Sequence, residues 1–167
     1  MTPSVGLHYN TADLCDKCGD QAKVCHAPWL SLGGRRTAWG AAACLRTFED
    51  TALLRRALGR PGGGRLLVVD AGGSLRVALL GEKMARLGME NGWAGVIIHG
   101  AVRDADQLAQ LDFAVFALGK VPARAGNAGN GLEDIPVTVG DTVFSPGDFV
   151  CVDSDGVVAI PGRTADV

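Results

Sequence analysis

Arg65-Leu-Leu-Val-Val-Asp70, followed at once by Ala71-Gly72-Gly73, is the stretch on which the fold turns. The run is too short for an amphipathic helix, and an apolar segment bounded by glycines on both sides reads as a strand buried on both faces. Ala94-Gly-Val-Ile-Ile98 reads the same way. Between them, Glu82 to Asn91 carries Met84, Leu87 and Gly88 on one side and meets Gly92, a helical pattern with a stop. Strand, helix and strand at this spacing make a right-handed βαβ unit. Leu75 to Leu80 admits two readings, a backward extension of that helix or a short strand ending at Gly81. The strand is favoured, because a glycine inside a helix costs about 1 kcal/mol relative to alanine.

Outward from this core the punctuation is clear. Asn10 and Thr11 cap a first helix through Cys18, with Leu14, Cys15 and Cys18 on one face and Gly19 past the end. Asp50 caps a helix over Thr51 to Leu58, whose Leu53, Leu54, Ala57 and Leu58 form the apolar side before Gly59 and Pro61 stop it. Beyond Arg103 a short helix starts at Asp104, carries Leu108 and Leu111 inward, and feeds a buried strand at Phe113 to Ala117. Pro122 to Gly131 is a loop of glycine, alanine and asparagine. From Ile135 onward, Val137, Val139, Val143, Phe149, Cys151, Val157, Val158 and Ile160 alternate with turn residues, the pattern of a β-meander. The expectation is one α/β domain over residues 1–167, without an internal repeat.

A chain of 167 residues with 47% hydrophobic and 20% charged content can build its own core, and at this length buries about 70% of its unfolded surface. Disulfides or a structural metal are not needed. A net charge of -2 with scattered Lys and Arg argues against direct nucleic-acid binding. Met1 to Val5 lack a cationic region followed by an apolar core, and no stretch is long enough to span a bilayer, so a cytoplasmic protein is expected. The five cysteines, an odd number, suit reduced thiols. Cys15, Cys18, Cys25 and His26 hold the inventory of a zinc site, but adjacent ligands fit one tetrahedron badly, and buried structural thiols are favoured.

Asp70 to Ser74 could cradle a phosphate, yet the loop lacks G-x-G-x-x-G and a P-loop lysine. It does lie at the carboxyl end of a strand, where open α/β folds gather ligands. Gly81-Glu82-Lys83-Met84 with Arg103-Asp104 is more specific. Free amides at a helix start favour an anion, arginine offers a carboxylate a bidentate fork, and aspartate offers a hard oxygen to a divalent ion. On residues alone, a carboxylate-and-ion site stands level with ordinary surface ion pairs and an Asp104 that is merely an N-cap.

Thr11-Ala-Asp-Leu-Cys-Asp16, Gly33-Gly-Arg-Arg36, Thr47-Phe-Glu-Asp50, Gly64 through Gly81, Asn91-Gly-Trp-Ala-Gly95, Gly100-Ala-Val-Arg-Asp104, Ser145-Pro-Gly-Asp148 and Asp153 through Val158 resemble the RraA-like proteins, in order and along almost the whole chain. The resemblance implies a layered, swivelling-domain-like β/β/α fold assembled as a homotrimer with sites between subunits. It also implies a metal-dependent lyase that releases pyruvate from 4-hydroxy-4-methyl-2-oxoglutarate or oxaloacetate. Glu82, twenty residues, then Arg103-Asp104 fills the aldolase signature. By that similarity Arg103 holds the 2-oxo acid, Asp104 binds Mg²⁺ or Mn²⁺, Glu82 serves proton transfer, and the amides of Gly81, Glu82, Lys83 and Met84 take the pyruvyl carboxylate. Glu82 stands where the aldolases carry aspartate, and Ala71 where the loop has glycine. The family's other branch consists of regulators that bind ribonuclease E or a helicase; these typically lack the aspartate that Asp104 provides here. A Schiff-base aldolase using Lys83 or Lys120 ranks third.

Overall fold

The computed structural model describes residues 7–162, so Met1 to Val5 lie outside it. In chain order the elements are α1 (Thr11–Cys18), β1 (Lys23–Val24), β2 (Leu30–Ser31), β3 (Ala38–Arg46), α2 (Ala52–Leu58), β4 (Leu66–Asp70), α3 (Glu82–Glu90) and β5 (Gly95–Val102). There follow α4 (Ala105–Leu108), β6 (Ala114–Lys120), β7 (Leu132–Glu133), β8 (Val137–Val139), β9 (Thr142–Phe144), β10 (Phe149–Asp153) and β11 (Gly156–Ile160).

The expected βαβ unit is β4-α3-β5, and it sits in a parallel run β3-β4-β5-β6. The sheet path reads β1-β11-β10-β3-β4-β5-β6-β2, with β7 on β3, while β8 and β9 form their own hairpin. The C-terminal strands are thus two successive hairpins, of which β10-β11 joins the main sheet through β3.

Strand β3, which the sequence pattern did not reveal, is the hinge of this architecture. Its first half, Ala38 to Ala41, pairs antiparallel with β10, and its second half, Ala42 to Arg46, pairs parallel with β4. Ala-Trp-Gly-Ala-Ala-Ala-Cys-Leu-Arg has no β-branched residue and no apolar alternation, so propensity is silent. Small side chains serve there because both faces are crowded; a Cβ on Gly40 would come within 2.4 Å of Gly64 O.

Two cores flank the parallel strands. Leu54, Leu58, Met84 and Leu108 of the helices pack on Leu67, Val69, Val96, Ile98 and Val115. On the other face, Leu66, Val68, Ile97 and Phe116 meet Val137, Val139, Phe144, Val150 and Val157. Helices, parallel strands and a second β layer give the expected β/β/α order. Leu14 of α1 then covers Phe149, Cys151 and Val158, with Cys15 and Cys18 packed alongside.

Leu75 to Leu80 corrects the expectation of a strand. Only Ala78 bridges, to Ala101 on one side and Arg124 on the other. Ala78, Leu79 and Leu80 are all buried, so the alternation a half-buried strand needs is absent. The segment lies beside the point where β5 shifts register between Ile98 and Ala101. Helix α2 starts at Ala52, one residue later than expected, but Asp50 still receives its first-turn amide: Ala52 N donates to Asp50 Oδ1 at 2.9 Å.

Two buried or half-buried carboxylates act as clasps. Asp50 also accepts from Ala128 N at 2.7 Å and Gly129 N at 3.0 Å, pinning the 126–131 loop to α2. Asp153 accepts from Thr11 N at 2.8 Å and Thr11 Oγ1 at 2.7 Å, tying α1 to the end of β10. Burial pushes both pKa values up, but the hydrogen bonds to their charged forms outweigh it and hold both below the ordinary aspartate value. A lowered folded-state pKa adds stability above the unfolded value of about 3.9 and loses it as pH falls through the folded one. Urea midpoints are therefore expected to be flat down to about pH 5 and to fall steeply below about pH 4. A midpoint unchanged at pH 3 would show that these clasps contribute nothing.

Candidate active site

The residues singled out in sequence meet in one cleft of about 260 Å³. Gly81, Glu82, Lys83, Met84, Arg103 and Asp104 line it, together with Thr51, Arg55, Ala78, Gln107 and Arg124. It opens beyond the carboxyl end of β5, beside the start of α3. Two main-chain bonds hold the walls together: Leu79 N donates to Ala101 O at 2.9 Å and Arg103 N to Leu80 O at 2.9 Å.

Helix α3 has glycine at its N-cap, in extended conformation, with no side chain of its own to cap it. Asp104 supplies the acceptor from across the cleft, taking Glu82 N on Oδ2 at 2.9 Å. The N-cap role weighed for Asp104 is thus real but falls on α3; its side chain makes no capping bond to α4. Its backbone is left-handed, with φ of 61° and ψ of 42°, a conformation aspartate tolerates better than most residues at a cost of about 1 kcal/mol. Gly81 has to be glycine for this arrangement, because a Cβ would lie 2.6 Å from Asp104 Oδ2 and 3.3 Å from Arg103 Cγ.

With the Glu82 amide occupied, Lys83 and Met84 remain as first-turn donors that α3 itself cannot satisfy. Arg103 is half-buried, and its only side-chain bond among the described residues is a long one, Nη1 donating to Pro122 O at 3.5 Å. The rest of its fork is unspent. Glu82 is turned along its helix, where Arg86 Nη2 donates to its Oε1 at 3.0 Å. Such an exposed i,i+4 pair contributes about 0.3–0.5 kcal/mol, a weak tether. Lys83 is exposed at the rim, while Lys120, at the end of β6, does not line the cleft.

The cleft offers an ion one unengaged carboxylate oxygen among the described residues. Asp104 Oδ1 has no hydrogen-bond partner among the described residues, and no group of three or more His, Cys, Asp or Glu gathers there. A single carboxylate with water and substrate oxygens completing the shell suits Mg²⁺ or Mn²⁺ better than zinc. The cysteines are distributed differently. Cys25 lies in the core behind the sheet, donating to Val139 O at 3.2 Å, and Cys15 and Cys18 pack with α1. Burial pushes the Cys25 thiol up to about 11 and those of Cys44 and Cys151 up to about 12, which opposes the thiolate that a metal needs.

Arg55, Arg124, Thr51 and Gln107 were not singled out in sequence. No motif marks them: Arg55 is on the exposed side of α2, and Arg124 arrives through the Ala78 bridge. The loop after β4 turns through Gly72 and Gly73, at φ of 68° and 76°, while Ala71 keeps a negative-side backbone and a buried methyl.

The family model RraA-like, described as Aldolase/RraA, matches residues 11–159. A protein of Aromatoleum aromaticum named "Putative 4-hydroxy-4-methyl-2-oxoglutarate aldolase" is 45% identical over 152 residues, covering 91% of this chain and 96% of its own. One of the same name from Alcanivorax borkumensis is 45% identical over 156 residues, covering 93% and 98%. Among solved structures, the RNA-processing inhibitor RraA from Thermus thermophilis superposes with a TM-score of 0.91 at 39% identity, over 96% of this chain and 98% of that one. A Geobacillus kaustophilus protein described as an S-adenosylmethionine: 2-dimethylmenaquinone methyltransferase gives 0.90 at 41%, over 93% and 96%. A family model spanning most of the length, and relatives at 45% identity across nearly all of it, establish that the chain belongs to the RraA-like family.

Proposed function

We propose that the protein is a divalent-metal-dependent lyase that breaks the bond between C3 and C4 of a 2-oxo acid and releases pyruvate, as a 4-hydroxy-4-methyl-2-oxoglutarate aldolase and oxaloacetate decarboxylase would. The observation that carries the reading is the convergence of Arg103, Asp104 and the α3 start on one cleft. The aldolase name of the relatives supports the same class of reaction.

The Lys83 and Met84 amides and the positive end of α3 receive the C1 carboxylate. Arg103 donates to the C2 oxygen, on which negative charge builds as the C3–C4 bond breaks. A bound Mg²⁺ or Mn²⁺, held by Asp104, would supply Lewis acidity at the same oxygen. In aldol cleavage the C4 hydroxyl loses its proton as the C3–C4 bond breaks and the enolate gains one at C3; Glu82, released from Arg86, is an acid-base group within reach of the cleft. Oxaloacetate needs no base, since carbon dioxide leaves directly.

The test is pyruvate release from oxaloacetate and from a 4-hydroxy-2-oxo acid. Release above the free-ion rate is expected with Mg²⁺ and none with chelator. A chelator-resistant rate, with a lysine labelled on borohydride reduction, would replace this reading with a Schiff base. The open cleft offers one carboxylate for an ion and leaves its acid-base group engaged elsewhere, which supports a homotrimer that completes the site between subunits. Light scattering on the active preparation should give three chains per particle; a fully active monomer removes the shared site.

The likeness to the Thermus RNA-processing inhibitor favours a second reading, a regulator that docks on ribonuclease E. The retained Asp104 and its clear Oδ1 weigh toward the lyase. Among the described residues no helix is long and apolar enough to cross a membrane. Five cysteines without a disulfide among them support a cytoplasmic setting.

A further inference from the structure

Cys15-x-x-Cys18 is a motif to which the cleft gives no task. The two thiols are half-buried on the face of α1 that covers Phe149, Cys151 and Val158. Cys18 ends the helix and is also the N-cap of a 3₁₀ turn over Gly19–Gln21, with φ of -97° and ψ of -13°. In an α-helix, Cβ atoms three residues apart stand about 5–6 Å from each other, whereas a disulfide needs about 3.5–4.5 Å. A 3₁₀ turn brings positions i and i+3 into line. The pair therefore sits where the helix already passes into the tighter form, and bridging it requires the last turn of α1 to close by about 1–2 Å.

The chain on either side of the pair is not equally free to move. Upstream, Thr11 is clasped by Asp153 and Leu14 is buried in the core. Downstream, the 3₁₀ turn buries no residue, and Gly19 has a φ of 53°, where glycine adjusts at no steric cost. Strand β1 follows as two exposed residues at the sheet edge, Lys23 paired with Ala159 and Val24 with Val158. Closure therefore draws Cys18 toward Cys15, and the strain falls on the 3₁₀ turn and β1. Cys151, the third thiol of this cluster, is fully buried and pushed up by that burial to about 12, which keeps it from attacking an oxidant.

We infer that Cys15 and Cys18 are a redox modification site, a dithiol that hydrogen peroxide converts into a reversible disulfide across the last turn of α1. Burial and the Asp16 carboxylate push the Cys15 thiol up, so Cys18 is the thiolate that attacks the peroxide. An S–O bond forms at Cys18 as the O–O bond breaks, and the departing hydroxide takes up a proton as water. The Cys15 sulfur then attacks the Cys18 sulfur, the S–S bond forms, and the oxygen leaves as a second water. Two thiols lose two electrons and two protons, and the peroxide is reduced to water. A bridge closed against strain is easily reduced, so a thiol pool restores the dithiol. The site stands apart from the lyase reading, since α1 does not line the cleft.

The test treats the folded protein with hydrogen peroxide and reads intact mass, thiol titration after denaturation, and peptide mapping. The mass should fall by two hydrogens, free thiols should drop from five to three, and the bridge should map to Cys15 and Cys18, all reversed by dithiothreitol. Cys15→Ser and Cys18→Ser should each abolish the two-hydrogen loss, and Cys151→Ala should leave it in place. Alanine at 15 or 18 serves the same purpose if serine unfolds the chain. On oxidation, amide exchange over residues 19–24 should rise about tenfold, while Leu14 keeps its protection. A mass that stays unchanged or only gains oxygen, a bridge to Cys151, or a two-hydrogen loss that survives Cys18→Ser would overturn the site.

Discussion

Asp104→Asn and Arg103→Ala are each expected to lower pyruvate release at least about a hundredfold, close to 3 kcal/mol of transition-state stabilisation, the cost of removing one preorganised donor at a developing oxyanion. Stability should hardly change. Asparagine keeps an oxygen for the Glu82 amide and accepts the left-handed backbone that Asp104 occupies. Alanine at 103 gives up only the long bond to Pro122 O, while Arg103 N still donates to Leu80 O. Binding to ribonuclease E would use an extended outer surface and should survive both changes. Full pyruvate release in both variants, measured against the free-ion rate, would remove the lyase reading in favour of the regulator.

Asp50→Ala should be the most damaging single change for the fold outside the apolar cores. The residue is 2% exposed, and its carboxylate receives the amides of Ala52, Ala128 and Gly129, with Asn130 N at 3.5 Å. Truncation strands these donors together, at about 1–3 kcal/mol for each that water cannot reach, so a loss of about 3 kcal/mol or more is expected by urea denaturation. Asp50→Asn should cost less, since one acceptor oxygen survives. A loss below about 1 kcal/mol for alanine would mean that the loop finds water as readily as it finds Asp50.

What the sequence disclosed follows from how far apart the cooperating residues lie. The β4-α3-β5 unit was legible because its apolar runs and its glycine stops are local, and the Glu82 to Asp104 signature was legible because a βαβ crossover returns the chain to the same sheet end. Strand β3 was not, since alanine carries no strand preference and its place between two sheets is set by neighbours distant in sequence, Phe149 to Val152 and Leu66 to Asp70. A cap was weighed for Asp104 only on the short helix after it, whereas the helix that its carboxylate caps begins more than twenty residues earlier, a pairing that no local motif encodes. Arg55 and Arg124 were invisible for the same reason: only the bridges at Ala78 and Gly126 bring α2 and the late loop to one cleft.

The left-handed backbone at Asp104 also bears on how such a chain can drift. Asparagine and glycine are the replacements that this conformation accepts most easily, and both erase the charge. A lineage no longer selected for bond cleavage could discard the carboxylate in one substitution and keep its architecture, free to be recruited as a binding surface. At Gly81 the opposite holds. Any side chain there meets the Asp104 carboxylate and the Arg103 side chain together, so a substitution displaces both of the groups that the chemistry needs. One cleft thus contains a position where a single charge can be dropped without touching the backbone and another where one added methyl disturbs two functional side chains at once.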